Sequence, residues 1–114
     1  MKNSYGHYTS GISHSYHPPL NRQEQIELHN KMRDGDSDAT NTIVSSCLPL
    51  VISIAKKFRY NNKHVDIEDM IQEGNIALIK AVENWDVQKG SITTVATWYI
   101  RNRLVDVIND AKYN

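Results

Sequence analysis

This sequence predicts an all-α fold, a compact helical bundle of about four to five helices with a flexible N-terminal tail. Three observations carry that expectation. Apolar residues return every three to four positions through most of the chain after Leu20. Residues that start and stop helices bracket each of those stretches. No alternation of period two runs long enough to make a useful strand.

Residues 1–17, MKNSYGHYTSGISHSYH, are rich in Ser, Gly, Tyr and His and nearly lack aliphatic side chains. Such a segment cannot bury enough surface to offset its ordering entropy, so residues 1–19 read as a tail and residues 20–114 as the domain. His7, His14 and His17 have neither a ligand-like spacing nor a cysteine partner, so no metal site is expected there. Pro18-Pro19 closes the tail. Asn21 followed by Glu24 has the form of a capping box, and a helix should run from it to Arg33, stopped by Asp34-Gly35. Its thin stripe of Ile26, Leu28 and Met32 marks it as a satellite of the core.

Asp36 or Ser37 can cap a second helix through about Ser46. Proline is costly inside a helix and welcome in a first turn, so Pro49 predicts a new helix starting near Leu48. That helix would bury Leu48, Val51, Ile52, Ala55 and Phe58 and end in Lys56, Lys57 and Arg59, cations suited to a helix C-terminus. After the loop YNNKHV, Asp66 caps the stretch DMIQEGNIALIKAVENW. Gly90 then punctuates, and a last helix should run from about Thr93 toward Ala111.

Composition narrows the function. The chain has 114 residues, 39% of them hydrophobic and 23% charged, which suits one soluble domain with a modest core. The longest apolar run, LPLVISIA, is too short to span a bilayer, and no signal peptide is visible. Cys47 is the single cysteine, which rules out an internal disulfide and suits a reducing cytoplasm. Thirteen basic and 13 acidic residues cancel to a formal net charge of +0. A free-standing nucleic-acid binder is usually strongly basic, so any phosphate attraction here must come largely from a partner. No nucleophile–base pair, phosphate-cradling glycine loop or metal-ligand spacing points to an enzyme, a cofactor or a small-molecule ligand.

Two helices have more than one interesting face. At about 100° per residue, Met70, Ile71, Gly74, Ala77, Leu78, Ala81, Val82 and Trp85 share the core side of theirs. The opposite side carries Asp69, Gln72, Glu73, Lys80 and Glu83, yet Ile76 and Ile79 sit among them. On the last helix Ile92, Ala96, Ile100, Leu104, Val107 and Ala111 make the inner face. The outer face carries Thr94, Val95, Trp98, Arg101, Asn102, Val105 and Asn109. Tryptophan beside arginine, asparagine and threonine can stack on bases while reaching edges and phosphates. Packing of Trp98 against another helix is the plainer alternative.

LPLVISIAKKF, DMIQEGNIALIKAVENWD and ATWYIR, in this order and at this spacing, resemble the central domain (region 2) of bacterial sigma factors. The resemblance runs from about Leu20 to Val105, and RQEQIELHNKMRDGD is similar to the helical segment (region 1.2) that precedes that domain. It implies that Asp69, Gln72, Glu73, Asn75 and Ile79 dock on the clamp helices of the largest subunit of core RNA polymerase, with Ile76 beside them. The two isoleucines would then be apolar anchors inside a charged rim.

The resemblance also implies that the last helix opens a promoter at the −10 element. By that resemblance, bases of the non-template strand would flip into pockets there, and Trp98 with Tyr99 would wedge at the upstream edge. Arg101 would meet the DNA backbone, Asn102 and Val105 the duplex edges, and Thr94 belongs to the same face. Lys56, Lys57 and Arg59 would add to the basic surface along the DNA.

Departures from the family pattern are specific. Val95 stands where the family has a tyrosine that stacks on a flipped adenine, and Ile92 replaces an aromatic residue. The loop after Gly90 is one residue shorter, and Asn102 and Val105 replace glutamine and threonine. The family's −35-reading module has no counterpart in these residues. The resemblance therefore leaves two expectations, a domain of a longer chain or a minimal bacteriophage late sigma factor aided by a co-activator, and the start at Met1 favours the second. A competing function is a sigma mimic that occupies the clamp helices and blocks the host factor without reading DNA. Val95 and the neutral charge favour that reading, while Trp98, Tyr99 and Arg101 on one helix oppose it.

Overall fold

A computed structural model describes residues 18–113. Among the described residues there are four helices and no strand: α1 (Arg22–Arg33), α2 (Ser37–Tyr60), α3 (Ile67–Glu83) and α4 (Ile92–Tyr113). The expected tail at 1–17, with its three histidines, lies outside the described residues.

The start and stop signals act as local chemistry dictates. Asn21 Oδ1 accepts from the Glu24 amide at 2.8 Å, and Glu24 Oε1 accepts from the Asn21 amide at 2.9 Å, completing the capping box. Asp36 and Asp66 cap α2 and α3 through their side-chain oxygens. Gly35 turns the chain out of α1 at φ 93, a left-handed backbone that disfavours any side chain. Ser91 Oγ accepts from the Thr94 amide, so α4 begins at Ile92, one residue before the expected start.

The break expected at Pro49 does not occur. One 24-residue helix runs from Ser37 to Tyr60 with the proline inside it. Ala39, Ile43, Cys47, Val51 and Ala55, each four residues apart, are all buried, and the series crosses the proline without a change of phase. An internal proline costs about 3 kcal/mol. Keeping Ile43 on one side in register with Val51, Ile52 and Ile54 on the other retains burial of about 1.5–3 kcal/mol per large side chain, which outweighs it. By length and composition alone this helix could cross a membrane. Its apolar residues are instead spent on α3 and α4.

The core is the meeting of α2, α3 and α4. All eight residues expected on this inner side are buried, Met70 through Val82 on α3 and Trp85 just beyond its end. On α4 the buried series is Ile92, Ala96, Ile100, Leu104 and Ile108, again at steps of four. Ile108 therefore takes the inner position that Val107 and Ala111 were expected to share; Val107 is half-buried and Ala111 exposed. The stripe drifts around the helix, because steps of four overshoot the 3.6-residue turn.

α2 and α3 touch where α3 has no side chain. A Cβ on Gly74 would lie 2.7 Å from Val51 Cγ1 and 3.6 Å from Ile100 Cγ2. Valine in a helix is nearly confined to one rotamer, so the methyl cannot swing away. Gly74→Ala should therefore lower stability by about 1–2 kcal/mol, the overpacking cost exceeding the roughly 1 kcal/mol gained by removing a helical glycine. Urea unfolding measures it, and an alanine variant as stable as the parent would mean that the α2–α3 contact is slack.

Candidate functional site

Two surfaces carry the residues singled out by sequence. On α3, Asp69, Gln72, Ile76 and Ile79 are exposed, while Glu73 and Asn75 are half-buried at the flanks. Ile76 keeps 50% and Ile79 48% of its surface, so neither isoleucine is claimed by the core. They open into different grooves. Ile79 lines one with Met32, Thr40 and Val44 of α1 and α2, whereas Ile76 lines another with Tyr99, Asn102 and Arg103 of α4. The outward face of α3 is thus a ridge between two grooves, with apolar groups on both slopes.

On α4, Trp98 is 66% exposed and meets Tyr99 edge-on, with ring centroids 5.4 Å apart. Tyr99 is half-buried in the α3–α4 groove, so the two neighbouring aromatics serve different surfaces. Arg101 stacks over Phe58 of α2 at 5.2 Å, a cation–π contact that brings α4 to the basic end of α2. Lys56 and Lys57 are exposed there, whereas Arg59 donates from Nε to the Val65 carbonyl at 3.0 Å and braces the α2–α3 loop. Tyr60, 75% exposed, has Lys63 Nζ 5.6 Å from its ring centroid and belongs to the same patch, though sequence alone did not single it out.

Two expected readers of DNA, Thr94 and Asn102, and the neighbouring Val95 are modified by their surroundings. Val95 is half-buried and packs on the core, so it does not stand on the open face as its helical position implied. Asn102 donates from Nδ2 to the Trp98 carbonyl at 2.9 Å, which commits part of its amide to its own helix. Thr94 shares a hydroxyl contact with Ser91 at the start of α4. Val105 is open, at 45% exposure.

α1 positions the start of α4, and it does so with polar groups. The expected stripe of Ile26, Leu28 and Met32 is only half-buried; the buried residues of α1 are Gln25 and His29. Arg22, Gln25 and His29 fall on one side at spacings of three and four. Arg22 Nη1 donates to the Val87 carbonyl at 2.7 Å, and His29 Nε2 donates to the Trp85 carbonyl at 3.0 Å. Gln25 Oε1 accepts from the Ile92 amide at 3.0 Å, and its Nε2 donates to the Leu20 carbonyl. Trp85, edge-on to His29 at 5.0 Å, donates from Nε1 to the Gly90 carbonyl. The loop from Trp85 to Ile92 is thereby held at both ends. No hydrophobic period announces this, because the partners are backbone groups more than fifty residues away.

The remaining reactive group is withdrawn. Burial pushes the Cys47 thiol up from its ordinary value, the Ser46 hydroxyl opposing weakly, so it stays a protonated core side chain. Among the described residues no group of His, Cys, Asp and Glu could hold a metal ion.

Fold and surfaces together define an all-α domain with a ridge on α3 and an aromatic, basic face on α4. Residues 43–113 match the sigma-70 region 2 family. The chain is 43% identical over 94 residues to "RNA polymerase sigma factor SigA" of Clostridium acetobutylicum and 42% identical over 94 residues to the same-named protein of a Bacillus species. Each match covers 82% of this chain and 24% of the relative, so the chain spans about a quarter of the length of these proteins. The chain belongs to the sigma-70 region 2 family.

The Gln25 contact has a measurable consequence. Gln25→Leu keeps the bulk and leaves the buried Ile92 amide without its acceptor, so stability should fall by about 1–3 kcal/mol. Chemical denaturation gives the value, and exchange of the Ile92 amide should accelerate. Unchanged protection at Ile92 would mean that another acceptor takes the place of Gln25.

Proposed function

We propose that this domain acts as the promoter-specificity part of an RNA polymerase sigma factor, in the bacterial cytoplasm. The ridge of α3 docks on the clamp helices of the largest polymerase subunit, and the face of α4 recognises and melts a −10-type element. The polymerase supplies the chemistry. The observation that carries the proposal is the exposure of Ile76 and Ile79 among Asp69, Gln72 and Glu73, on a helix whose inner face is wholly buried. Apolar anchors within a charged rim suit a protein partner, and the acids suit a basic helix. Trp98 and Arg101 then lie on the adjoining helix, in reach of DNA brought by that partner. Neutral charge fits this order of events, since the chain by itself should attract duplex DNA weakly.

A second reading, polymerase binding without promoter reading, draws on two observations. Val95 is half-buried against the core, and the Asn102 amide is engaged with its own helix. Run-off transcription with core polymerase separates the two. The proposed function gives promoter-dependent transcripts, and pure blockade gives loss of transcription by the resident sigma factor.

Replacing Gln72 by alanine together with Glu73→Lys should abolish binding to core polymerase while helical content and melting temperature stay near the parent's. Gln72 is exposed, and Glu73 is half-buried in a surface ion pair with Arg103 whose loss should cost about 0–1 kcal/mol. A pull-down in which the double variant retains full binding removes the docking assignment. Trp98→Ala should preserve polymerase binding and slow promoter opening by the equivalent of about 1–3 kcal/mol of lost stacking. Permanganate reactivity of the −10 thymines follows it; opening at the parental rate in a folded, polymerase-bound variant would show that α4 does not wedge the duplex with Trp98.

A further inference from the structure

The ridge of α3 is joined to α4 by one ion pair. Arg103 Nε donates to Glu73 Oε1 at 2.8 Å across the groove that Ile76 and Tyr99 also line. The side chains are 41% and 33% exposed, so the pair sits at the surface, where such pairs add little to folding. Its effect on binding is of another kind. A glutamate on an open helix face samples several rotamers, and a partner that grips it must stop that motion, at a cost typical of each ordered interfacial side chain. Arg103 has already ordered this one. The contact is made through Nε to a single oxygen, and Glu73 remains one-third exposed, so the second carboxylate oxygen stays available to an incoming donor.

We propose that the polymerase-docking surface continues from α3 onto α4, with Arg103 as the positioning residue that presents Glu73 to a basic helix of the partner. This rests on the docking reading of α3 given above. Arg103 was no part of the sequence-level candidate set, since its role depends on a contact thirty residues away. It stands one turn beyond Tyr99 on α4, so the pair also links the docked ridge to the helix that carries Trp98. The opposite role, an arginine that screens Glu73 from a basic partner, predicts the reverse sign, and a double-mutant cycle distinguishes them.

The experiment measures the dissociation constant of the full chain for core RNA polymerase with Arg103 and with Arg103→Ala, each in the Glu73 and Glu73→Gln backgrounds. Arg103→Ala should weaken binding about three- to tenfold, the range expected for re-ordering one side chain, with the melting temperature unchanged. Arg103→Lys, which keeps a donor to Glu73, should recover part of the loss. In the Glu73→Gln background Arg103→Ala should change affinity less than about twofold, because its partner charge is gone. Tighter or unchanged binding by Arg103→Ala, or an equal loss in both backgrounds, overturns the proposal. Parental binding with a silent Arg103→Ala removes this inference alone; a parent chain that fails to bind core polymerase removes the docking reading and this inference with it.

Discussion

The closeness of α2 and α3 at Gly74 is the constraint from which the rest follows. With hydrogen in place of a side chain, α3 settles against Val51, and Ile100 of α4 closes on the same point. Three helices share one contact, so the inner sides of all three are consumed there and in the layers above and below. The outer side of α3 is left with polar groups and two isoleucines that their neighbours leave half exposed. The ridge is thus a consequence of the packing beneath it.

The same arrangement places two chemically different faces on adjoining helices. α3 presents acids and half-exposed aliphatic side chains, and α4 presents an indole and a guanidinium. At the surface Arg103 meets Glu73 and Tyr99 lies in the groove between the two helices, while Arg101 stacks on Phe58 and ties α4 to α2. α1 adds a third support by gripping the loop before α4 through Arg22, Gln25 and His29. Buried polar contacts of this sort are directional, so they set where the loop lies, whereas apolar burial would tolerate sliding.

Membership of the sigma-70 region 2 family gives these surfaces a context, and the chain's departures from the family pattern become physical. Val95 cannot present a stacking ring, and it lies partly in the core. Under the proposed function, base recognition by α4 rests more on Trp98 and its neighbours than on that position.

Much of the fold was legible because its causes are local. The capping box at Asn21 and Glu24, the caps at Asp36 and Asp66, the turn at Gly35 and the inner residues of α3 follow from backbone chemistry and a 3.6-residue period. The candidate residues of α3 were legible for the same reason, since an isoleucine among acids is visible on any helical projection. What only the tertiary structure decided were outcomes of competition between local preference and distant contacts. Pro49 stays within α2 because burial on both sides of it exceeds its cost, a balance that no local rule contains. Gln25 and His29 are buried, though polar, because Gln25 Oε1 meets the Ile92 amide and His29 Nε2 the Trp85 carbonyl, both far along the chain. Ile108 displaces Val107 and Ala111 because the buried series on α4 advances in steps of four from Ile92, set by what α2 and α3 place against it. Local propensity is written in short stretches of sequence; the partners that overrule it are brought near only by folding.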